Sequence, residues 1–436
     1  MNVSVIGLGR LGLPFSFFLA SKGHKVLCFD KNLKIRDQLN QKKNIEPELN
    51  NYIKKYKKNV FIEKSINNLI SKTKISFLVL PTPSIKDGSF SNSFIFESLN
   101  EISLSLRIKK NTNHIIVITS TVSPGSCDLF VKYLEKKGFK NKKDFSIVYN
   151  PHFIAQGTTL KNLEYPDLIL IGTNNDKSRR TINNFYQKIY KKNSLLKNTN
   201  FKEGEISKIA INCYITTKIS FSNYISELSE STTNVDAKII LDVIGQDKRI
   251  NHSYMKIGTK FSGPCFPRDN LALINFSKKS NISPLIPLST NRINSKQSLR
   301  IIKNLKKVIK KEKRLLNIGL FGLTYKPDTN LILGSQGASL INEIRKSKIN
   351  IKKINIFDKF LTFDEVKRFN KDLIFYKNKI NFVKNSDIVI IMYPSSEDKI
   401  LKDYKGKKKI YIFDCWRSIS FKKKPFELIE FGKYYN

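Results

Sequence analysis

The chain has 436 residues, of which 40% are hydrophobic and 26% charged, with 78 Lys and Arg against 36 Asp and Glu and a formal net charge of +42. That length exceeds a single small core and suits two or three domains, and no apolar run reaches the ~18 residues of a membrane span. The lysines are spread in pairs and triplets, such as Lys54-Lys55, Lys136-Lys137 and Lys407 to Lys409. They read as a solvated surface whose field would gather doubly anionic small molecules, so nucleic acid is not the expected partner.

In chain order, Asn2–Ile6 is predicted as a buried strand and Lys25–Phe29 as a second, with an apolar helix between them from Leu11 to about Ser21. Between strand and helix stands Gly7-Leu-Gly9-Arg10-Leu11-Gly12. Its first glycine permits a tight turn, the second lets backbone approach a pyrophosphate, and the third lets helix and strand pack closely. The helix N-terminus then offers free N–H groups and partial positive charge to phosphate. Asp30 closes the second strand where a ribose-binding acid is expected, which favours NAD over NADP, and Lys31 follows it. Further strands are predicted at Ile75–Leu80, Ile115–Ser120, Phe145–Tyr149 and Leu168–Ile171, a βαβ rhythm that implies a parallel sheet. The loops Pro81-Thr82-Pro-Ser84 and Thr119-Ser-Thr121-Val-Ser-Pro124 should lie at its carboxyl edge, where ligands bind.

From Phe201 the texture becomes helical, with one long helix over Glu203 to about Thr233, another near Val235–Ile244, and a third over about Thr290–Lys313. Lys208 and Asn212 are spaced i, i+4 and share a face. An α/β rhythm then restarts, with strands at Leu315–Phe321, Ile354–Phe357, Ile388–Met392 and Ile410–Phe413, and Gly322-Leu-Thr-Tyr-Lys326-Pro327 after the first of them. The fold class is therefore α/β, with two doubly wound parallel-sheet nucleotide-binding domains joined by a central helical domain. The expected boundaries are 1–200, 201–300 and 301–436.

Ser262-Gly263-Pro-Cys265-Phe-Pro-Arg268-Asp269 lies in the helical region. Gly and two Pro suggest a shaped turn that presents the thiol. A thiol beside a hydride acceptor implies covalent aldehyde chemistry, because it can hold an aldehyde for a second oxidation. The plainer alternative is a small apolar residue in a tight turn. The five cysteines (Cys28, Cys127, Cys213, Cys265, Cys415) show no CxxC, the four histidines are dispersed, and no basic leader precedes an apolar segment. A reducing, cytoplasmic setting without metal is expected.

These ordered motifs resemble the UDP-glucose/GDP-mannose dehydrogenase family from residue 1 to about Ile419. They are the glycine loop, Leu80-Pro-Thr-Pro83, Ser120-Thr-Val122, Asn150-Pro-His152-Phe153-Ile-Ala-Gln156-Gly157, Lys208 with Asn212, the Cys265 octapeptide and Gly322–Pro327. The resemblance implies oxidation of a nucleotide sugar at C6 by two NAD, through a thiohemiacetal and a thioester on Cys265. It implies Lys208 and Asn212 at the oxyanion, and Asp269 and Thr121 handling protons and water. Gly7, Gly9, Arg10, Leu11, Gly12, Asp30, Lys31, Pro81, Thr82, Thr121 and Arg268 would bind cofactor. His152, Phe153, Gln156, Lys208, Asn212, Phe261, Gly263, Lys326 and Arg417 would bind substrate, with Arg249 reaching the neighbouring subunit's site in a homodimer formed through the central helices. His152 and Gln156 replace two glutamates common in the family, Leu333 replaces an arginine, and Arg268 replaces the commoner lysine. UDP-glucose is the first substrate expected. Another nucleotide sugar with altered thioester hydrolysis, or a non-catalytic nucleotide-sugar or nucleic-acid binding protein, are the alternatives.

Overall fold

The structure, a computed structural model, describes residues 1–32, 35, 46, 48–109, 113–155, 157–190, 195–394, 401, 404–420 and 424–434. The chain forms two compact units, one of residues 1–211 with 275–281, the other of residues 212–274 with 282–436.

The first unit is built on strands β1 (Asn2–Ile6), β2 (Lys25–Phe29), β3 (Val60–Ile62), β4 (Ile75–Leu78), β5 (His114–Ile118), β6 (Phe145–Tyr149), β7 (Ile169–Gly172) and β8 (Leu196–Thr199). They form one sheet in the order β3-β2-β1-β4-β5-β6-β7-β8. Every neighbouring pair is parallel except β6 with β7. Alternate strand residues enter two cores: Val3, Val5, Phe77 and Val117 enter one, Ile6, Leu78, Ile116 and Ile118 the other. Both faces are therefore covered, as a parallel sheet requires. The helix Gly12–Ser21 is buried along nearly its whole length. Its fully buried Phe15, Phe17 and Phe18 each contribute about 1.5–3 kcal/mol of apolar burial, which seats its N-terminus beside the glycine loop.

The second unit holds β9 (Asn317–Phe321), β10 (Lys353–Phe357), β11 (Ile374–Phe375), β12 (Ile388–Ile391), β13 (Ile410–Asp414) and β14 (Phe426–Glu430). The order is β11-β10-β9-β12-β13-β14 and all pairs are parallel. Counted within its own sheet this is 3-2-1-4-5-6, the doubly wound order, and the first six strands of the other sheet run the same way. Helices Ala237–Gln246 and Leu285–Glu312 send Ala237, Leu241, Ile301, Leu305 and Val308 into one core with Ile318, Leu320 and Phe413 of this sheet. The helical middle of the chain from Asn212 onward thus shares its core with the C-terminal sheet. Arg300 reinforces the join: its Nε donates to Glu230 at 2.9 Å, its Nη2 to Ser226 at 2.7 Å, and its guanidinium lies 4.4 Å from the Phe431 ring centroid. The long helix runs Phe201–Glu230. Among the described residues no helix is long and apolar enough to cross a membrane, and no group of three or more His, Cys, Asp or Glu could hold a metal ion.

Candidate active site

In the first unit, Gly7 turns the chain at φ +96° while its N–H donates to Phe29 O at 2.8 Å. A Cβ on Gly12 would sit 1.8 Å from Gly7 O, so only glycine allows the helix to start there. A Cβ on Gly9 would meet nothing within 4 Å, which leaves open space over the loop. The helix beyond it has Leu11 at its N-cap, no side-chain cap and no acid in its first turn. Leu13 N donates to Gly9 O at 3.2 Å and Pro14 has no N–H, so the anion-facing end rests on the backbone around Leu11 and Gly12 and on the helix dipole. Asp30, half-buried, accepts from Leu8 N at 2.7 Å and Asn32 N at 2.8 Å. Each oxygen takes one of these bonds, and a carboxylate retains further lone pairs for ribose hydroxyls.

The loops after β4 and β5 are tied together. Ser120 Oγ accepts from Leu80 N at 2.8 Å and donates to Leu80 O at 2.7 Å, and Thr82 Oγ1 donates to Thr121 O at 2.7 Å. Farther along, Lys208 is buried on the long helix, where its Nζ donates to His152 O at 2.9 Å and stands 4.4 Å from the Phe153 ring centroid. A fixed cation over an aromatic face in a dry environment is well suited to a developing oxyanion.

In the second unit, Cys265 immediately precedes the helix Phe266–Lys279, and its carbonyl accepts from Asp269 N at 2.9 Å. The sulfur-bearing residue therefore occupies the helix N-cap, where the helix dipole favours negative charge. Cys265 is exposed, whereas Cys28, Cys127, Cys213 and Cys415 are buried. Burial pushes the thiols of Cys28 and Cys213 up to about 12, which keeps them protonated. Gly263 shapes the turn at φ +83°, packs so closely on Tyr325 that a Cβ would meet the ring at 2.6 Å, and donates to Gly334 O at 3.0 Å. Buried Phe261 is held by Asn294 through bonds of 2.7 and 3.1 Å. Asp269, also buried, accepts from Asn212 Nδ2 at 2.6 Å and has Arg268 Nε 3.7 Å away. A nucleophile at a helix N-terminus with an amide and a carboxylate one turn behind it can add to a carbonyl and manage the proton.

Residues 1–190 match the UDP-glucose/GDP-mannose dehydrogenase family, NAD binding domain, and residues 202–296 match the central domain of the same family. A UDP-glucose 6-dehydrogenase of Rickettsia bellii is 30% identical over 408 residues, covering 92% of this chain and 91% of its own length. The chain belongs to the UDP-glucose/GDP-mannose dehydrogenase family. Among solved structures, a UDP-glucose dehydrogenase from Pyrobaculum islandicum aligns with TM-score 0.86 at 22% identity over 100% of this chain and 98% of that one. A UDP-D-ManNAc dehydrogenase from Pyrococcus horikoshii aligns with TM-score 0.83 at 19% identity over 99% of each chain. These two establish the fold. This family member is an NAD-dependent oxidoreductase. Open Gly9, the uncapped helix and the half-buried Asp30 fit its dinucleotide, and the match to the dehydrogenases is what sets the non-catalytic alternative aside.

The dehydrogenase's other expected site residues differ in exposure. Arg10, Lys31 and Pro81 are exposed, Thr82 is buried, and Leu11, Thr121 and Arg268 are half-buried. Lys326 is half-buried beside the Tyr325 ring, 5.7 Å from its centroid. Arg249 is exposed, its guanidinium braced by Asp247 with Nη2 at 2.6 Å. Gln156 lies outside the described residues.

Arg417 and His152 are both held by their surroundings. The Arg417 Nη1 and Nη2 each donate to Asp236 at 2.9 Å and its Nε lies 3.1 Å from Glu430, so the side chain sits inside an ion cluster. The His152 ring packs edge-on against Phe15 at 4.6 Å, its Nδ1 shut from solvent without a hydrogen-bond partner. Burial, then the Lys208 charge, pull its pKa down to about 3. The ring is neutral, and the residue's carbonyl accepts from Lys208 Nζ. Two residues escaped sequence reasoning. Asn294 gave no pattern, since its partners are backbone atoms of Phe261. Glu205 is buried on the long helix and accepts from Gly125 N at 2.6 Å and Cys127 N at 2.7 Å. An acid on the helix face of Lys208 and Asn212 was the available signal.

Proposed function

We propose that this enzyme oxidises the C6 primary alcohol of UDP-glucose to the carboxylate in two NAD-dependent steps that pass through Cys265. The observation that carries the reading is the exposed Cys265 at a helix N-cap one turn ahead of the Asn212–Asp269 pair, with the other four thiols buried.

Bound NAD supplies the hydride acceptor for each of the two oxidations. In the first, the alcohol loses a hydride and a proton to give an aldehyde. The Cys265 sulfur then bonds to the carbonyl carbon and the oxygen takes a proton, giving a thiohemiacetal. Loss of a second hydride and that proton gives a thioester. Water adds to it, the C–S bond breaks, and the carboxylate leaves as the thiol is restored. Lys208 neutralises the oxyanion in these steps, and Asn212 assists by hydrogen bonding. Thr121 orients water. Asp269 takes the role of water-activating carboxylate, because a His152 ring with a pKa near 3 is too weak a base. Phe261, Gly263, Lys326 and the partner-reaching Arg249 contact the nucleotide sugar.

The assembly proposed is a homodimer through the helical middle. Tyr214, Phe221, Tyr224 and Leu228 are exposed at helical spacing along Phe201–Glu230, an apolar stripe suited to a second copy. Five free cysteines suit a cytoplasmic, reducing setting. The test is NAD reduction with UDP-glucose, GDP-mannose and UDP-hexosamines in parallel. UDP-glucose should be fastest and give two NADH per acid formed. Faster turnover of another nucleotide sugar would reassign the substrate, and one NADH with released aldehyde would overturn the covalent scheme.

A further inference from the structure

Glu205 is fully buried, yet its carboxylate serves neither an arginine nor a lysine among the described contacts. Its two oxygens take the backbone N–H groups of Gly125, at 2.6 Å, and Cys127, at 2.7 Å. Gly125, at φ +91°, is the N-cap of the helix Ser126–Lys136, and that helix has no side-chain cap of its own. Glu205 thus caps a foreign helix, and in doing so it seizes the end of the loop that carries Thr121.

The start of that loop is already anchored to the sheet edge by Ser120 and Thr82, and its middle by Ser123 Oγ, which accepts from Phe90 N at 3.0 Å. None of these bonds refers the loop to the long helix Phe201–Glu230. Glu205 does, and Lys208 comes three residues later on the same helix face. Beside the apolar core that Phe201 shares with Val122 and Cys127, this buried carboxylate is the polar tie between the Thr121 loop and the helix that carries Lys208. A neutral amide could not substitute, because only one end of it accepts and the other would present N–H to N–H.

We propose that Glu205 is a positioning residue that clamps the Thr121 loop to the helix bearing Lys208, so that the loop hydroxyl and the oxyanion-stabilising cation keep a fixed separation. The inference rests on the roles assigned to Thr121 and Lys208 above and adds the part that holds them in register. Displacement of about 1 Å in such a site lowers turnover by roughly 100-fold.

The test uses the full chain carrying Glu205→Gln, Thr121→Ala and both together. Hydrogen–deuterium exchange of peptides spanning 119–128 should rise in Glu205→Gln while other peptides keep their protection. Its kcat should fall about 10- to 100-fold with KM for UDP-glucose within about threefold. In the Thr121→Ala background the same change should cost little more, since residues that act as a unit are not additive. If Glu205→Gln does not fold, Glu205→Asp keeps the charge on a shorter arm and should show the same signature more weakly. Additive losses in the double variant, or unchanged exchange over 119–128, would overturn the clamp. If Thr121→Ala alone leaves kcat intact, the role given to Thr121 falls, and the clamp is then judged by exchange and by the kcat of Glu205→Gln alone.

Discussion

In the first sheet Gly7 N donates to Phe29 O at 2.8 Å and Leu8 N to Asp30 at 2.7 Å; in the second, Gly322 N donates to Phe357 O at 2.8 Å and Leu323 N to Asp358 at 2.8 Å. Both glycines sit at positive φ, +96° and +102°. The turn is the same, but the chain beyond it differs. After Gly7 the helix begins at Gly12 without a side-chain cap; after Gly322 a long loop intervenes, and the helix at Gln336 is capped by Ser335, whose hydroxyl accepts from Ala338 N at 3.0 Å. Asp30 is half-buried, whereas Asp358 is buried and also accepts from Thr324 N, Thr324 Oγ1 and Tyr393 OH. One doubly wound turn thus leaves its helix N-terminus without a side-chain cap and its acid only half-buried. The other consumes both internally and offers the loop that holds Tyr325 and Lys326 instead. Strand order alone does not tell a cofactor site from its structural copy; the state of the cap and the acid does.

The largest effects should come from the glycines that close each turn. Gly12→Ala forces a Cβ to 1.8 Å from Gly7 O, while Gly337→Ala meets Gly322 O at 3.0 Å. The first change should cost about 3 kcal/mol or more and abolish NAD binding; the second should cost about 1 kcal/mol and spare it. Denaturant melts and NAD titration would show it, and equal losses would erase the distinction. The acids should separate next. Asp358→Ala strands several buried donors and should destabilise by about 3 kcal/mol, whereas Asp30→Ala should mainly raise the KM for NAD, by about tenfold or more.

Acid sensitivity should also divide the units. His114 and His152, both in the first, are held down at about 3 from an ordinary 6.5, chiefly by burial. Native rings stay neutral while unfolded ones take up protons below pH 6.5, so stability is full above pH 6.5 and falls as pH drops from there toward 3. Thermal melts over that window should show the slope, and His152→Gln should flatten it. The smallest effect lies in the caps. Ser335→Ala should cost about 1 kcal/mol without touching NAD affinity. Leu11→Asp should stabilise the first helix slightly and weaken NAD binding a few-fold by competing with the phosphates.

Most strands were legible because a parallel sheet buried on both faces needs continuous apolar runs, as at Asn2–Ile6, Phe145–Tyr149 and Ile388–Ile391. Val60–Ile62 and Leu196–Thr199 were not: the first, an edge strand of three residues, is too short to show a period, and the second, also at an edge, is mostly polar. The glycine loop could be read because its chemistry is local. Asn212 with Asp269, Arg417 with Asp236, and Glu205 with Gly125 could not, because their spacing in sequence obeys no period and their pairing is made by the fold.

The most direct test of the covalent account is Cys265→Ser, assayed for NADH and uronate from UDP-glucose. Loss of uronate by about 1,000-fold or more, with any residual NADH uncoupled from acid, is the predicted result. NADH and uronate formed at the native rate and in a ratio of two to one would contradict it.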